Sequence, residues 1–209
     1  YNKENYKLLM SCANNLSRIH LSEKNKKNPI TAYNFCMLLR KHLVGGTIKN
    51  IYQHKMDRVV CFEIENLNEL KELSKKLLII EIMGKHSNII LVDKESNKII
   101  DSIKHIDSRQ SSIREVFPNK DYFFVKDEKE NILEENYKLP SEILKVSEPI
   151  SMKKFFYTNY LGFSPIISYE LLHNSNVDSD TNSANLDAES IRRIDENFVK
   201  LVDKIKSEN

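Results

Sequence analysis

Leu77-Leu78-Ile79-Ile80-Glu81-Ile82-Met83-Gly84-Lys85-His86-Ser87-Asn88-Ile89-Ile90-Leu91-Val92 decides how this chain is read. Two continuous apolar runs flank a short polar insert that begins at Gly84. Runs of this length bounded by a glycine turn predict paired, largely buried strands. A simple hairpin needs only Asn-Gly or Asp-Gly at its turn. Here Gly84-Lys85-His86-Ser87-Asn88 puts a cation and an imidazole at the tip, with Glu81 just inside the preceding strand. A buried, unpaired carboxylate is costly, so Glu81 must face solvent, pair with a cation or await a ligand. Arg58 is one candidate partner.

Downstream, a turn at residues 93–97 precedes a strand over 98–105. Residues 79–106 therefore read as a three-stranded antiparallel meander, because its connections are too short for a parallel crossover. Upstream, strands are expected over 47–53 and 58–65, joined at His54-Lys55-Met56-Asp57, with a short helix over 66–75. Before them, Thr31 reads as the N-cap of a helix whose Ala32, Phe35, Cys36, Leu39 and Leu43 recur at helical spacing. Gly45-Gly46 stops it. Residues 6–10 and 18–21 read as short strands, and 24–28 as a polar loop. After Pro118 the texture changes: residues 127–135 are acidic and loop-like. Beyond Ser151 the chain is helical, with Met152, Phe155, Phe156 and Tyr160 on one face. Ser164-Pro165 supplies an N-cap and an N1 proline for the next helix. Residues 174–185 read as a mobile polar linker. Ile191, Ile194, Phe198, Leu201, Val202 and Ile205 define a final amphipathic helix.

The 209 residues carry a formal net charge of only +2 although 30% of them are charged. Any nucleic-acid contact must then come from local patches rather than a global field. No apolar run approaches the ~18 residues a membrane-spanning helix needs, and the start at Tyr1 has no initiator Met or leader pattern, which reads as the edge of a fragment. Cys12, Cys36 and Cys61 lie far apart with no CxxC pair, so no zinc site, metal or cofactor is expected. They read as small buried hydrophobes in a reducing compartment.

Two catalytic readings of the tip fail. It lacks the G-x-x-x-x-G-K-[ST] spacing of a phosphate loop and precedes a strand. His86 and Ser87, adjacent on an extended segment, would point to opposite faces and not pair. A phosphate contact through Lys85 and the backbone amides stays open. In the strand after Asp57-Arg58, Arg58 would share a face with Val60, Phe62 and Ile64, and Asp57 with Val59 and Cys61. That arginine is either a structural salt-bridge partner or exposed at a site. The turn Leu161-Gly162-Phe163-Ser164-Pro165 reads as an αα-hairpin.

Leu39-Arg40-Lys41-His42-Leu43-Val44-Gly45-Gly46, then Asp57-Arg58, then Glu81-Ile82-Met83-Gly84-Lys85-His86-Ser87-Asn88, then Ile100-Asp101-Ser102-Ile103-Lys104-His105 resemble the NFACT family in order and separation. The family is also known as fibronectin-binding A-like. The resemblance covers roughly residues 1–125, and more loosely the helical part from Ser151. It implies an α+β fold: a mainly antiparallel β domain related to the formamidopyrimidine-DNA glycosylase N-terminal fold, then a helix-hairpin-helix-like segment. The expected domains are 1–130 (without the family's first elements), a linker over 131–150, and a partial helical domain over 151–209. The family's coiled coil and C-terminal domain are expected to be absent. The implied function is that of a bacterial ribosome-associated quality control factor, cytoplasmic and ribosome-associated. Such a factor binds the large ribosomal subunit with its peptidyl-tRNA and recruits alanyl-tRNA for untemplated alanine tailing. Asp57 and Arg58 match the family's tRNA-contacting pair. Glu81, Ile82 and Met83 are the next candidates for the anticodon region, with Gly84, Lys85 and His86 beside them for phosphates. No enzymatic activity is expected. The alternative partner, from the older family name, is fibronectin, bound by a surface adhesin.

Overall fold

Why the two apolar runs carry almost no polar residues is explained by what lies on each side of them. In a computed structural model describing residues 4–25, 27–111, 113–126 and 128–207, they form the middle of a five-stranded antiparallel sheet. Its strands run in chain order: β3 (Thr47–Gln53), β4 (Val59–Leu67), β5 (Leu73–Glu81), β6 (Asn88–Asp93) and β7 (Ile99–Ser102). Each face of this sheet is covered. On one face Val59, Cys61, Leu77, Ile79, Ile90, Val92 and Ile99 pack beneath Val116 and Tyr122 from the segment after β7. On the other, Phe62, Ile64, Leu78, Ile80, Ile89 and Leu91 pack against α1 (Asn34–Leu43) and a separate hairpin, β1 (Leu8–Ser11) with β2 (Arg18–Leu21). With both faces dry, period-two alternation disappears and a continuous apolar run results.

The register pairs Val59 with Glu81 and Glu81 with Asn88, so the β5–β6 tip lies at the start of β4. The expected meander is present, extended by β3 and β4. The helix expected over 66–75 is not. β4 continues to Leu67, and the chain reverses at residues 68–72. Asn68 Oδ1 accepts the N–H groups of Leu70 and Glu72, both at 2.9 Å, and Lys71 takes a positive φ of 62°. A side chain that captures backbone donors in this way competes with helix formation. Leu67, Leu70 and Leu73, whose spacing imitates a helix face, are all exposed. α1 also begins later than its sequence predicts: Tyr33 occupies the cap position and no side chain caps it, so Thr31 lies outside. Cys12 and Cys61 are buried as expected, but Cys36 is exposed on α1.

The chain divides into two units, the first made of Tyr1–His54 and Arg58–Val125, the second of Lys55–Asp57 and Lys126–Asn209. The second is helical: α2 (Pro140–Leu144), α3 (Met152–Asn159), α4 (Pro165–Asn174) and α5 (Ala188–Ser207). Ser164 caps α4 through Ile167 N–H, with Pro165 in its first turn. Ile194, Phe198 and Val202 recur every four residues and are fully buried against Phe155, Phe156 and Tyr160. The stretch expected as a linker, 131–150, contributes Ile132 and Ile143 to this core and contains α2. Residues 174–185 are not a loose tether either. Met152 N–H donates to Thr181 O, Lys153 N–H to Ser179 O and Ser183 N–H to Ile150 O, each at 2.9 Å. Most of their polar side chains face solvent, apart from the fully buried Ser175, while their backbone groups found internal partners. Lys26 of the polar loop and Asp127 of the acidic stretch lie outside the described residues. Among the described residues no helix is long and apolar enough to cross a membrane.

Candidate functional site

The β3–β4 connection and the β5–β6 tip are neighbours because β4 and β5 are paired to their ends. Ile82 N–H donates to Arg58 O at 2.8 Å, one step beyond the Val59–Glu81 pair. Arg58 is exposed. Asp57, its neighbour in sequence, is half-buried and falls in the short segment that groups with the second unit.

Glu81 is only 2% exposed. Of the three options open to it, it pairs with a cation, and that cation is Arg114. Arg114 Nη2 donates to one carboxylate oxygen, and the Tyr122 hydroxyl donates to the other at 2.9 Å. Arg114 also donates to Phe123 O at 2.8 Å and lies 5.4 Å from the centre of the Tyr122 ring. Burial alone would lower the arginine's pKa, but the Glu81 carboxylate outweighs it and raises the pKa. Burial, then the Glu81 charge, push the Tyr122 phenol well above its ordinary value. Phe124 extends the cluster, edge-on to Tyr122 and stacked on His54 with ring centres 3.6 Å apart.

After Glu81 the chain turns over the sheet end. Ile82 packs on one core and Met83 on the other, both half-buried. Gly84 has φ +57° and opens a single 3₁₀ turn, Gly84–His86. The left-handed value favours glycine there. Ser87 closes the turn: its fully buried hydroxyl accepts Met83 N–H at 2.8 Å. Lys85 and His86 are left exposed at the tip. His86 and Ser87 thus part company, one outward and one inward. Asn88, fully buried, anchors the far side, donating to Lys104 O at 2.8 Å and accepting Lys104 N–H at 3.0 Å.

Of the sequence-predicted residues, the first unit therefore brings Arg58, Ile82, Met83, Gly84, Lys85 and His86 to one end of the sheet and turns Glu81 inward beneath them. The exposed set offers a guanidinium at the start of β4 and an ammonium and an imidazole on the adjoining turn, suited to phosphate and base-edge hydrogen bonds. Among the described residues no three His, Cys, Asp or Glu side chains are grouped to hold a metal. Sequence reasoning missed Arg114 and Tyr122. Both lie in an irregular segment, at separations of 33 and 41 residues from Glu81, where no periodicity marks them.

Comparison with known proteins identifies the family. The family described as NFACT N-terminal and middle domains matches residues 1–209. The chain is 44% identical over 119 residues to the Rqc2 homolog RqcH of Bacillus subtilis, covering 57% of this chain and 21% of that protein. It is 42% identical over 121 residues to the RqcH of Streptococcus suis, covering 58% and 22%. These matches span about a fifth of the relatives' length. Among solved structures it resembles the N-terminal part of the fibronectin/fibrinogen-binding protein of Streptococcus suis, with TM-score 0.77 and 32% identity over 97% of this chain and 70% of that one. It also resembles the N-terminal domain of the fibronectin-binding protein PavA of Streptococcus pneumoniae, with TM-score 0.72 and 35% identity over 82% and 64%. The chain belongs to the NFACT family.

Proposed function

We propose that this chain is the RNA-binding part of a ribosome-associated quality control factor, working in the cytoplasm. It contacts the anticodon region of a tRNA with the sheet end formed by Arg58 and the turn that follows Glu81. The observation that carries this reading is the hydrogen bond between Ile82 and Arg58, which joins the two motifs into one surface. Arg58 and Lys85 supply charge-assisted donors for phosphates, and His86 adds a ring nitrogen for base edges. Ile82, Met83 and Gly84 complete the contact, and the family resemblance adds Asp57, next to Arg58 in sequence, as an acceptor for base amino groups. Glu81 supports the platform from beneath. In the whole protein this surface would select alanyl-tRNA on a large subunit that still holds peptidyl-tRNA, so that alanine is added without a template. The role is binding and positioning, without chemistry of its own.

The test is tRNA binding and tail formation by the full-length protein carrying Asp57→Ala and Arg58→Ala. The expected result is loss of both with ribosome binding retained. Undiminished binding and tailing would remove the assignment. A second reading is favoured by the names of the solved neighbours: an adhesin for fibronectin or fibrinogen. Cell fractionation separates the two, since surface exposure without ribosome co-sedimentation supports the adhesin alone.

A further inference from the structure

The first 27 residues carry six cationic side chains (Lys3, Lys7, Arg18, Lys24, Lys26 and Lys27) against two carboxylates (Glu4 and Glu23). That is an excess of four in a chain whose whole excess is two. The β1–β2 hairpin sorts this charge by face. Met10 and Ile19 pair across the hairpin and pack on the core. The period of two then turns Lys7, Leu9 and Ser11 of one strand, and Arg18, His20 and Ser22 of the other, to the outer face. Ser22 N–H donates to Lys7 O at 2.8 Å, so the ladder reaches Lys7. An open groove of about 1,090 Å³ runs here, lined by Lys7, Arg18, His20 and Lys24 beside the exposed Tyr6, with Glu23 as its one carboxylate.

Lys7 and Arg18 of this face have neutral hydrogen-bond partners. Lys7 Nζ donates to Asn25 Oδ1, and Arg18 donates to Leu16 O at 2.7 Å and to His20 Nε2 at 3.4 Å. Among the described residues the carboxylates beside them are Glu4, which accepts the Tyr6 hydroxyl, and Glu23, so the face keeps a positive excess. The hairpin is also fastened to the candidate tip. Lys104, whose backbone is held on both sides by Asn88, sends its ammonium to Cys12 O at 2.9 Å and Asn14 Oδ1 at 3.1 Å.

We propose that the outer face of the β1–β2 hairpin is a track for the phosphate backbone of RNA, held in fixed register with the candidate tip through Lys104. It rests on the RNA-binding reading above and adds a second, sequence-independent contact to it. Lys7, Arg18 and Lys24 neutralise successive phosphates.

Full-length protein is titrated with deacylated tRNA between about 50 and 200 mM salt. The variants are Lys7→Gln/Arg18→Gln and, because Arg18 also ties the hairpin turn, Lys7→Gln/Lys24→Gln. The expected result is weaker binding to every tRNA and a salt slope reduced by about two in each double variant. Unchanged affinity and slope, while Asp57→Ala/Arg58→Ala weakens binding, would overturn the track and leave the tip reading standing. The reverse pattern supports the track and removes the tip. Wild-type protein that does not bind tRNA removes both. Hairpin variants that lose binding to phosphatidylglycerol vesicles while keeping their tRNA slope would also overturn the track, by giving the charge to a membrane surface.

Discussion

Arg114 closes over the Glu81 carboxylate from 33 residues along the chain, and Tyr122 completes the clasp at 2.9 Å. Removing one member of a buried ion pair leaves the other charged and uncompensated, at a cost of about 3–5 kcal/mol. Arg114→Met is expected to lower the stability of the sheet unit by that amount. Glu81→Leu combined with Arg114→Met is expected to recover most of it. Urea unfolding of the two variants checks the ordering, and a double variant worse than Arg114→Met would contradict it.

The same clasp separates two ways of losing the proposed RNA binding. Glu81→Gln should weaken binding together with the urea midpoint, because the strand end that carries the tip loosens. Lys85→Ala should leave the midpoint unchanged and reduce the salt slope of binding by about one. Paired binding and unfolding curves check this. A Glu81→Gln protein of normal stability that has lost binding would place the carboxylate at the RNA instead.

Acid should weaken the sheet unit through Asp93. Burial pushes this carboxyl up, but hydrogen bonds from Lys76, at 2.6 Å, and from Ser96 outweigh it and hold its pKa at about 2, against an ordinary 3.8. A folded value below the unfolded one stabilises above about pH 4 and is lost as the pH falls from 4 toward 2. The contribution is roughly 1–2 kcal/mol once partial solvent exposure is allowed for. Asp93→Asn should flatten stability across that interval, as urea midpoints at pH 5 and pH 3 would show.

In the helical unit Phe198 is fully buried, with its ring 4.6 Å from that of Tyr160 and further contacts to Phe156 and Phe163. Phe198→Ala is expected to cost about 3–5 kcal/mol. Thermal unfolding followed by near-ultraviolet circular dichroism of the tyrosines checks it.

The apolar runs of β5 and β6 were legible because both sheet faces are covered there, which writes unbroken apolar runs into the sequence, whereas β3 at the sheet edge is almost wholly exposed. The helix at 66–75 misled because Leu67, Leu70 and Leu73 mimic a helical face while Asn68 takes the backbone donors for a turn. Of the candidate surface, the sequence made visible only the exposed members. Arg58 and the Gly84–His86 turn stand out as polar punctuation in apolar strands. Arg114 and Tyr122 sit in a loop segment whose order comes from the face it covers, and no local pattern records a contact made across 33 residues. The 174–185 segment was misread for a related reason. Its composition reports the solvent side, whereas its order comes from carbonyls that α3 uses.

The connection Lys55–Asp57 interrupts one unit and belongs to the other. Met56 packs into the helical core, where a Cβ added at Gly162 would come within 2.7 Å of its Cε. The two halves are thus stitched rather than strung in series, and no single cut yields both intact. A truncation after residue 125 would strand Met56 as an unshielded thioether one residue before Asp57. Binding defects in such a fragment would report the torn seam as much as the missing helices.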